Sequence, residues 1–168
     1  LERVMIFPAK HFVVPEPIML EAQKEIEKDL EKQVAHLERG GKLLEAERLS
    51  RRTRQDIEMM REIGYCNGIE NYSRYFDGRK PGDPPYTLLD YYSQPHKDNW
   101  LAFIDESHIT FPQIRGMFNG DFSRKQTLID YGFRLPSAFD NRPLKFEEFI
   151  RRIPGFIATS ATPSEWEI

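Results

Sequence analysis

Two adjacent glycines, Gly40 and Gly41, separate two long stretches in which apolar residues return every three or four positions. Ahead of them Ile18, Ala22, Ile26, Leu30, Val34 and Leu37 form one series. Behind them Leu43, Ala46, Leu49, Thr53, Ile57, Met60 and Ile63 form another, which Gly64 ends. At 3.6 residues per turn each series falls on a single helical face, with Glu and Lys crowding the other positions of the first. Glycine stops a helix cheaply, and two helices joined by so short a turn lie antiparallel as a hairpin. The basic cluster Arg48, Arg51, Arg52 and Arg54 lies among Glu45, Glu47, Asp56 and Glu58, so pairing across a helical turn predicts a charge-laced solvent face.

The flanking segments read differently. Arg3 to Phe7 predicts a short strand closed by Pro8, and Phe12 to Val14 an extended piece ahead of Pro15 and Pro17. From about Tyr65 the chain reads as mixed, and the run NYSRYFDGRKPGDPPYTLLDYYSQPHKDN (71–99) is rich in Gly, Pro, Asn and Asp. It predicts an irregular surface connection with short regular pieces such as Tyr86 to Leu89. Beyond it Trp100 to Ile104 reads as a buried strand. Ser123 to Tyr131 follows as a short helix capped by Ser123 and ended by Gly132, then Lys145 to Ile153 as another helix and Phe156 to Ser160 as a last strand. Strands alternating with helices predict an α/β fold with parallel strands.

In that reading Asp105 and Glu106 stand side by side at the carboxyl end of a strand, the edge at which open α/β sheets place ligands. One acid that orients a hydrated magnesium and a second that prepares water to attack a phosphate would use such a pair. A strand ending at a polar surface would produce it too. Two further features favour chemistry: His108 completes the spacing Asp-Glu-Ser-His, and Ser160 to Thr162, Ser-Ala-Thr, ends the next parallel strand, where its hydroxyls can sit beside the acids. Two rivals stay open. One is a protein-binding module built on the hairpin, without catalysis. The other is a metal hydrolase drawing on Asp105, Glu106 and His108 with His11, His36 or His96, although nothing matches a spacing such as H-E-x-x-H.

Composition narrows the partners. A formal charge of −3 over 168 residues gives no bulk attraction to nucleic acid or to an anionic membrane, so any such contact needs a local patch. A content of 39% hydrophobic and 12% aromatic residues is enough for a core. Cys66 is the single cysteine, which excludes an internal disulfide and an all-cysteine zinc site and suits the cytoplasm. No apolar run reaches the length of a membrane span, and the first residues lack a cleavable signal pattern. The chain starts without methionine in what reads as mid-strand, as an excerpt would.

Asp-Glu-Ser-His with Ser-Ala-Thr resembles the second and third motifs of superfamily-2 helicases. FIDESH together with IENYSR (69–74), PPYTLLDY (84–91), PQIRGM (112–117), YGFRLPSAFDNRP (131–143) and SATP (160–163) resembles the UvrB family of bacterial nucleotide excision repair. The likeness covers essentially the whole chain, with local departures at FPAKHF and SQPHKDNW. It implies a partial P-loop NTPase parallel sheet carrying a long antiparallel helical hairpin insertion. Residues 1–14 would be an entry segment of the motor domain, 15–99 the helical subdomain with its irregular loop, and 100–168 the second half of that motor domain.

The resemblance also implies a cycle in which the whole protein receives damaged DNA from UvrA, clamps one strand behind a β-hairpin, verifies the lesion with ATP and Mg2+, and recruits UvrC. Asp105 would hold magnesium through water and Glu106 would act on the attacking water. His108, Ser160 and Thr162 would couple nucleotide state to DNA. Glu70 would meet the clamping hairpin, and Arg115, Arg134 and Arg142 would contact phosphate, although Arg134 and Arg142 flank Asp140, where ordinary salt bridges are the alternative. No G-x-x-x-x-G-K-[ST] loop occurs in these residues, so the segment by itself is not expected to hydrolyse ATP.

Overall fold

The computed structural model describes Arg3, Val4, Phe12 and residues 14–165. Of the expected strand over Arg3 to Phe7, residues 5–7 lie outside the described residues, as does Val13 of the Phe12 to Val14 segment.

The hairpin forms as its periodicity requires. Helix α1 (Glu16–Arg39) follows Pro15, and α2 (Leu43–Ile63) ends at Gly64, whose φ of 71° places it in the left-handed region that glycine adopts without strain. Ala22, Ile26, Leu30 and Leu37 of α1 meet Ala46, Leu49, Ile57 and Met60 of α2 in one buried cluster. Glu27, midway along α1, lies 3.9 Å from Arg61 near the end of α2. The stripes are shorter than the pattern predicts. Met19, one position from Ile18, is the first buried residue of α1, while Ile18, Leu43 and Ile63 are exposed.

The segment after Tyr65 is more than a surface connection. Cys66, Ile69, Tyr72 and Phe76 enter the hairpin core through a 3-10 turn (Ile69–Tyr72) and a short helix α3 (Ser73–Asp77). Tyr72 donates its hydroxyl hydrogen to Asp56 of α2 at 2.8 Å, and Arg74 bridges Asp29 of α1 at 2.6 Å and Asp140 at 2.9 Å. The Gly- and Pro-rich stretch is then stitched down by arginines. Arg79 donates to the Asp140 carbonyl at 2.7 Å, Arg142 to that of Gly82 at 3.2 Å, and Arg152 to that of Pro85 at 2.9 Å. These carbonyls would otherwise depend on water, so the loop is ordered without regular structure. Helix α4 (Leu88–His96) begins two residues later than Tyr86, with Thr87 and Asp90 forming a capping box.

Strands β1 (Ala102–Ile104) and β2 (Phe156–Ala158) pair in parallel, Ala102 opposite Phe156 and Ile104 opposite Ala158. The parallel pairing agrees with the expectation, but the extent and burial do not: only Ile104 of β1 is buried, and Phe103 is 72% exposed. Helix α5 (Ser107–Asp130) starts well before the expected Ser123, directly at the acid motif, and carries Pro112 within it. Helix α6 (Phe146–Arg152) matches the expected one closely, and Glu148 accepts from the Lys145 amide at 2.8 Å at its start. Ile104, Phe111 and Ile153 make a second, smaller core against Trp100, Phe146 and Phe149. The described residues are therefore mostly helical, with a two-stranded parallel sheet.

Helix α5 ends against the hairpin. Gly132 (φ 69°) lies so close to α2 that a Cβ there would stand 2.2 Å from the Glu45 carbonyl oxygen. Arg48 donates to the Tyr131 carbonyl at 2.6 Å and lies 4.5 Å from the centre of the Phe133 ring, while Lys42 reaches the Asp130 carbonyl at 3.1 Å. Leu135 then joins the hairpin core, and Ser137 donates to the Asn71 carbonyl at 3.0 Å.

Candidate nucleotide-acid site

The acids occupy the corner between β1 and α5. Asp105 leaves the strand, and Glu106 caps the helix at φ 45° and ψ 51°, a left-handed conformation uncommon for a residue with a side chain. The corner is fixed by its own backbone. The Glu106 carbonyl accepts from the amides of Ile109 at 2.8 Å and Thr110 at 2.9 Å, and the Thr110 hydroxyl donates to the Asp105 carbonyl at 2.9 Å. From the other strand the Thr159 amide donates to the Ile104 carbonyl at 2.9 Å, and the Thr159 carbonyl accepts from the Ser107 amide at 3.0 Å.

The expected neighbours converge here with one change of part. Ser160 Oγ lies 2.7 Å from His108 Nδ1, and the same nitrogen lies 3.4 Å from Glu106 Oε2. Both partners thus address one ring nitrogen, unlike a hydrolytic triad, in which serine and acid take opposite nitrogens. Thr162 enters through its amide, which donates to Ser160 Oγ at 3.1 Å. The hydroxyl beside the acids belongs to Thr159, which donates to Asp105 Oδ1 at 2.9 Å and which the Ser-Ala-Thr motif does not include. The strand register carries the signal: with Ile104 opposite Ala158, the next pair is Asp105 and Thr159.

Asp105 Oδ1 also accepts from the Glu106 amide at 3.0 Å, while among the described residues no hydrogen bond falls on Oδ2. A single free carboxylate oxygen flanked by hydroxyls suits magnesium, which is commonly held by one or two carboxylates, waters and substrate phosphates. Among the described residues no group of three or more His, Cys, Asp or Glu side chains could hold a metal ion, which removes the support for a multi-ligand hydrolase centre there; His11 lies outside the described residues. Cys66 is fully buried, and burial pushes its thiol up to about 12, so it offers no nucleophile.

A second grouping lies away from the acids. Glu70, Arg134 and Arg142 line one depression of about 290 Å3 together with Arg124 and Lys125, two cations that the sequence reading passed over. Arg142 is already held, forked on Glu148 at 2.7 and 2.9 Å, and its guanidinium holds that carboxyl down to about 2. Its acid partner is Glu148, whereas Asp140 is taken by Arg74 and the Gly82 amide. Lys125 is buried against Asp121 at 2.7 Å. Arg134 donates to its neighbour's carbonyl at 3.4 Å, and Arg115 lies 4.4 Å over the Phe146 ring, apart from this depression.

Residues 17–78, which contain the hairpin through α3, match the model of the UvrB third helical domain. Over 99% of its length the chain is 59% identical to UvrABC system protein B of Kosmotoga olearia. It is 58% identical over its full length to that of Thermosipho africanus, and 56% to that of a Synechocystis strain. The chain belongs to the UvrB family. It spans about a quarter of those relatives' length: 25% for the first two and 24% for the third. The family's helical domain thus corresponds to the larger core, and the acid corner lies beyond the 17–78 match but inside the full-length likeness. No helix among the described residues is long and apolar enough to cross a membrane.

Proposed function

We propose that this UvrB-family segment supplies the magnesium-nucleotide acid motif of a nucleotide-excision-repair ATPase. Its short parallel sheet would belong to a larger superfamily-2 P-loop sheet, entered at 1–14 and continued over 100–168, with 15–99 as the helical subdomain. The observation that carries this reading is the corner itself: two acids at a parallel strand's end, with Thr159 on one and the Ser160–His108 pair beside the other. Bound magnesium would supply charge neutralisation at the phosphates of ATP. The residues divide the remaining work. Asp105 would hold the magnesium through water with its free oxygen, and Glu106 would orient or deprotonate the attacking water. His108, within reach of Glu106 and Ser160, links that acid to the Ser160–Thr162 turn, so that a change at the nucleotide is felt there. Glu70 and Arg134 face the depression as contacts for a clamp or for DNA phosphate. Arg142 joins them only by sharing its fork with Glu148, and Arg115 would act from a separate surface. Damaged DNA, UvrA and UvrC are the partners this role requires.

The test uses the full-length protein that contains this segment. Glu106→Ala should abolish single-turnover hydrolysis and leave binding of a fluorescent ATP analogue largely intact, because that acid acts on water. Asp105→Asn should also weaken the magnesium-dependent part of binding. Near-normal hydrolysis in both variants would reduce the corner to a strand meeting solvent.

A further inference from the structure

We propose that Thr159 is a positioning residue for Asp105, holding one carboxylate oxygen so that the other is presented to the magnesium water shell; this rests on the nucleotide-acid reading above.

Asp105 is exposed, and an exposed carboxylate samples several rotamers unless it is tied. Here Oδ1 receives two hydrogen bonds, from the Glu106 amide at 3.0 Å and from Thr159 Oγ1 at 2.9 Å. A carboxylate is acceptor-only when ionised, so the threonine hydroxyl must donate. The amide alone leaves the group free to swing about its local contact. The second donor comes from a different strand, and two donors fixed on different elements define the carboxylate plane.

Thr159 is itself well anchored for this task. Its amide donates to the Ile104 carbonyl and its carbonyl accepts from the Ser107 amide, so its backbone ties the residues just before and just after the acid pair. Its side chain is β-branched and has few rotamers to lose. The motif hydroxyls cannot substitute in this arrangement: Ser160 Oγ is engaged with His108 and the Thr162 amide, and Thr162 is placed through that amide. Orientation set before the nucleotide arrives lowers the ordering cost of binding, so the effect belongs mainly to magnesium-dependent affinity.

The experiment titrates magnesium against a fluorescent, non-hydrolysable ATP analogue bound to the full-length protein. Thr159→Val keeps the branched shape and removes the donor. It should raise the magnesium concentration for half-maximal binding by about tenfold, the loss of one ordinary hydrogen bond. Thr159→Ser, which keeps the hydroxyl, should stay within about twofold of the parent, and thermal melts should show both variants folded. Equal shifts in the two variants would assign the effect to the lost branch and overturn the proposal. An unchanged midpoint in Thr159→Val beside a shifted one in Asp105→Asn would overturn it while leaving the acid reading in place. No shift in Asp105→Asn would remove both.

Discussion

Ile26 and Leu49 in the hairpin are wholly buried, whereas Phe103, two residues before Asp105, has 72% of its surface in solvent. The same contrast runs through the two halves. The hairpin core draws on α1, α2, α3, the 3-10 turn and Leu135, and it is bound at its edge by the Asp29–Arg74–Asp140 bridge. The acid end has Ile104, Phe111 and Ile153 at its centre, with Phe156 and Ile157 of β2 also exposed. Burial of apolar surface supplies most folding stability, so the first region holds the molecule together while the second holds the acid corner in place through hydrogen bonds to backbone. Order at the acids therefore comes from local geometry at the corner more than from a thick core beneath it.

That contrast breaks most directly by placing a charge in each half. Leu49→Asp buries an unpaired carboxylate in the hairpin and should cost about 4 kcal/mol or more, which a thermal melt would record as a large drop or a lost transition. Phe103→Asp, at the exposed face of β1, should stay within about 0.5 kcal/mol of the parent. Comparable losses would mean that both halves share one core. The join between the halves gives a smaller effect. Gly132→Ala meets the Glu45 backbone and a left-handed φ together and should cost about 2 kcal/mol, measured by urea denaturation. A neutral result would mean that the end of α5 does not bear on the hairpin.

The smallest effect is expected in acid. Arg142 holds the Glu148 carboxyl down to about 2, below its ordinary value, so the pair's stabilisation is fully present above the unfolded value of about 4.3. It is lost as pH falls from there toward 2. Glu148→Gln should flatten that part of the stability–pH profile and leave the profile above about pH 5 parallel to the parent's. An unaltered acid limb would show that the fork contributes nothing there.

The hairpin was legible because helical periodicity and two kinds of glycine stop pointed the same way. Its ends were not: Ile18 and Met19 are neighbours, and only the packing selects which one faces α2. Helix α5 escaped for a different reason. Pro112, Gly116 and Gly120 weaken helix propensity, and its buried positions, Ser107, Phe111, Lys125 and Ile129, include only two apolar side chains and make no continuous stripe. It is tied at both ends, by the acid corner and by the Gly132 contact. Residues 71–76 read as surface because turn-forming residues surround them, yet Tyr72 and Phe76 join Cys66 and Ile69 in filling the hairpin's open side. At the site, the acids, His108 and Ser160 were readable from motif spacing. Thr159 needed the register of β2 against β1, and Lys125 needed its pairing with Asp121.

Glu106 carries one more consequence. Its left-handed backbone is a conformation that glycine or asparagine adopts more easily, and a side chain placed there is strained. A selection for heat resistance alone would therefore drift toward those residues at position 106 and delete the carboxylate that the proposed hydrolysis uses. Under that proposal robustness and turnover compete at this single residue, so a thermostabilised descendant of the full-length protein should be screened for activity before its corner is trusted.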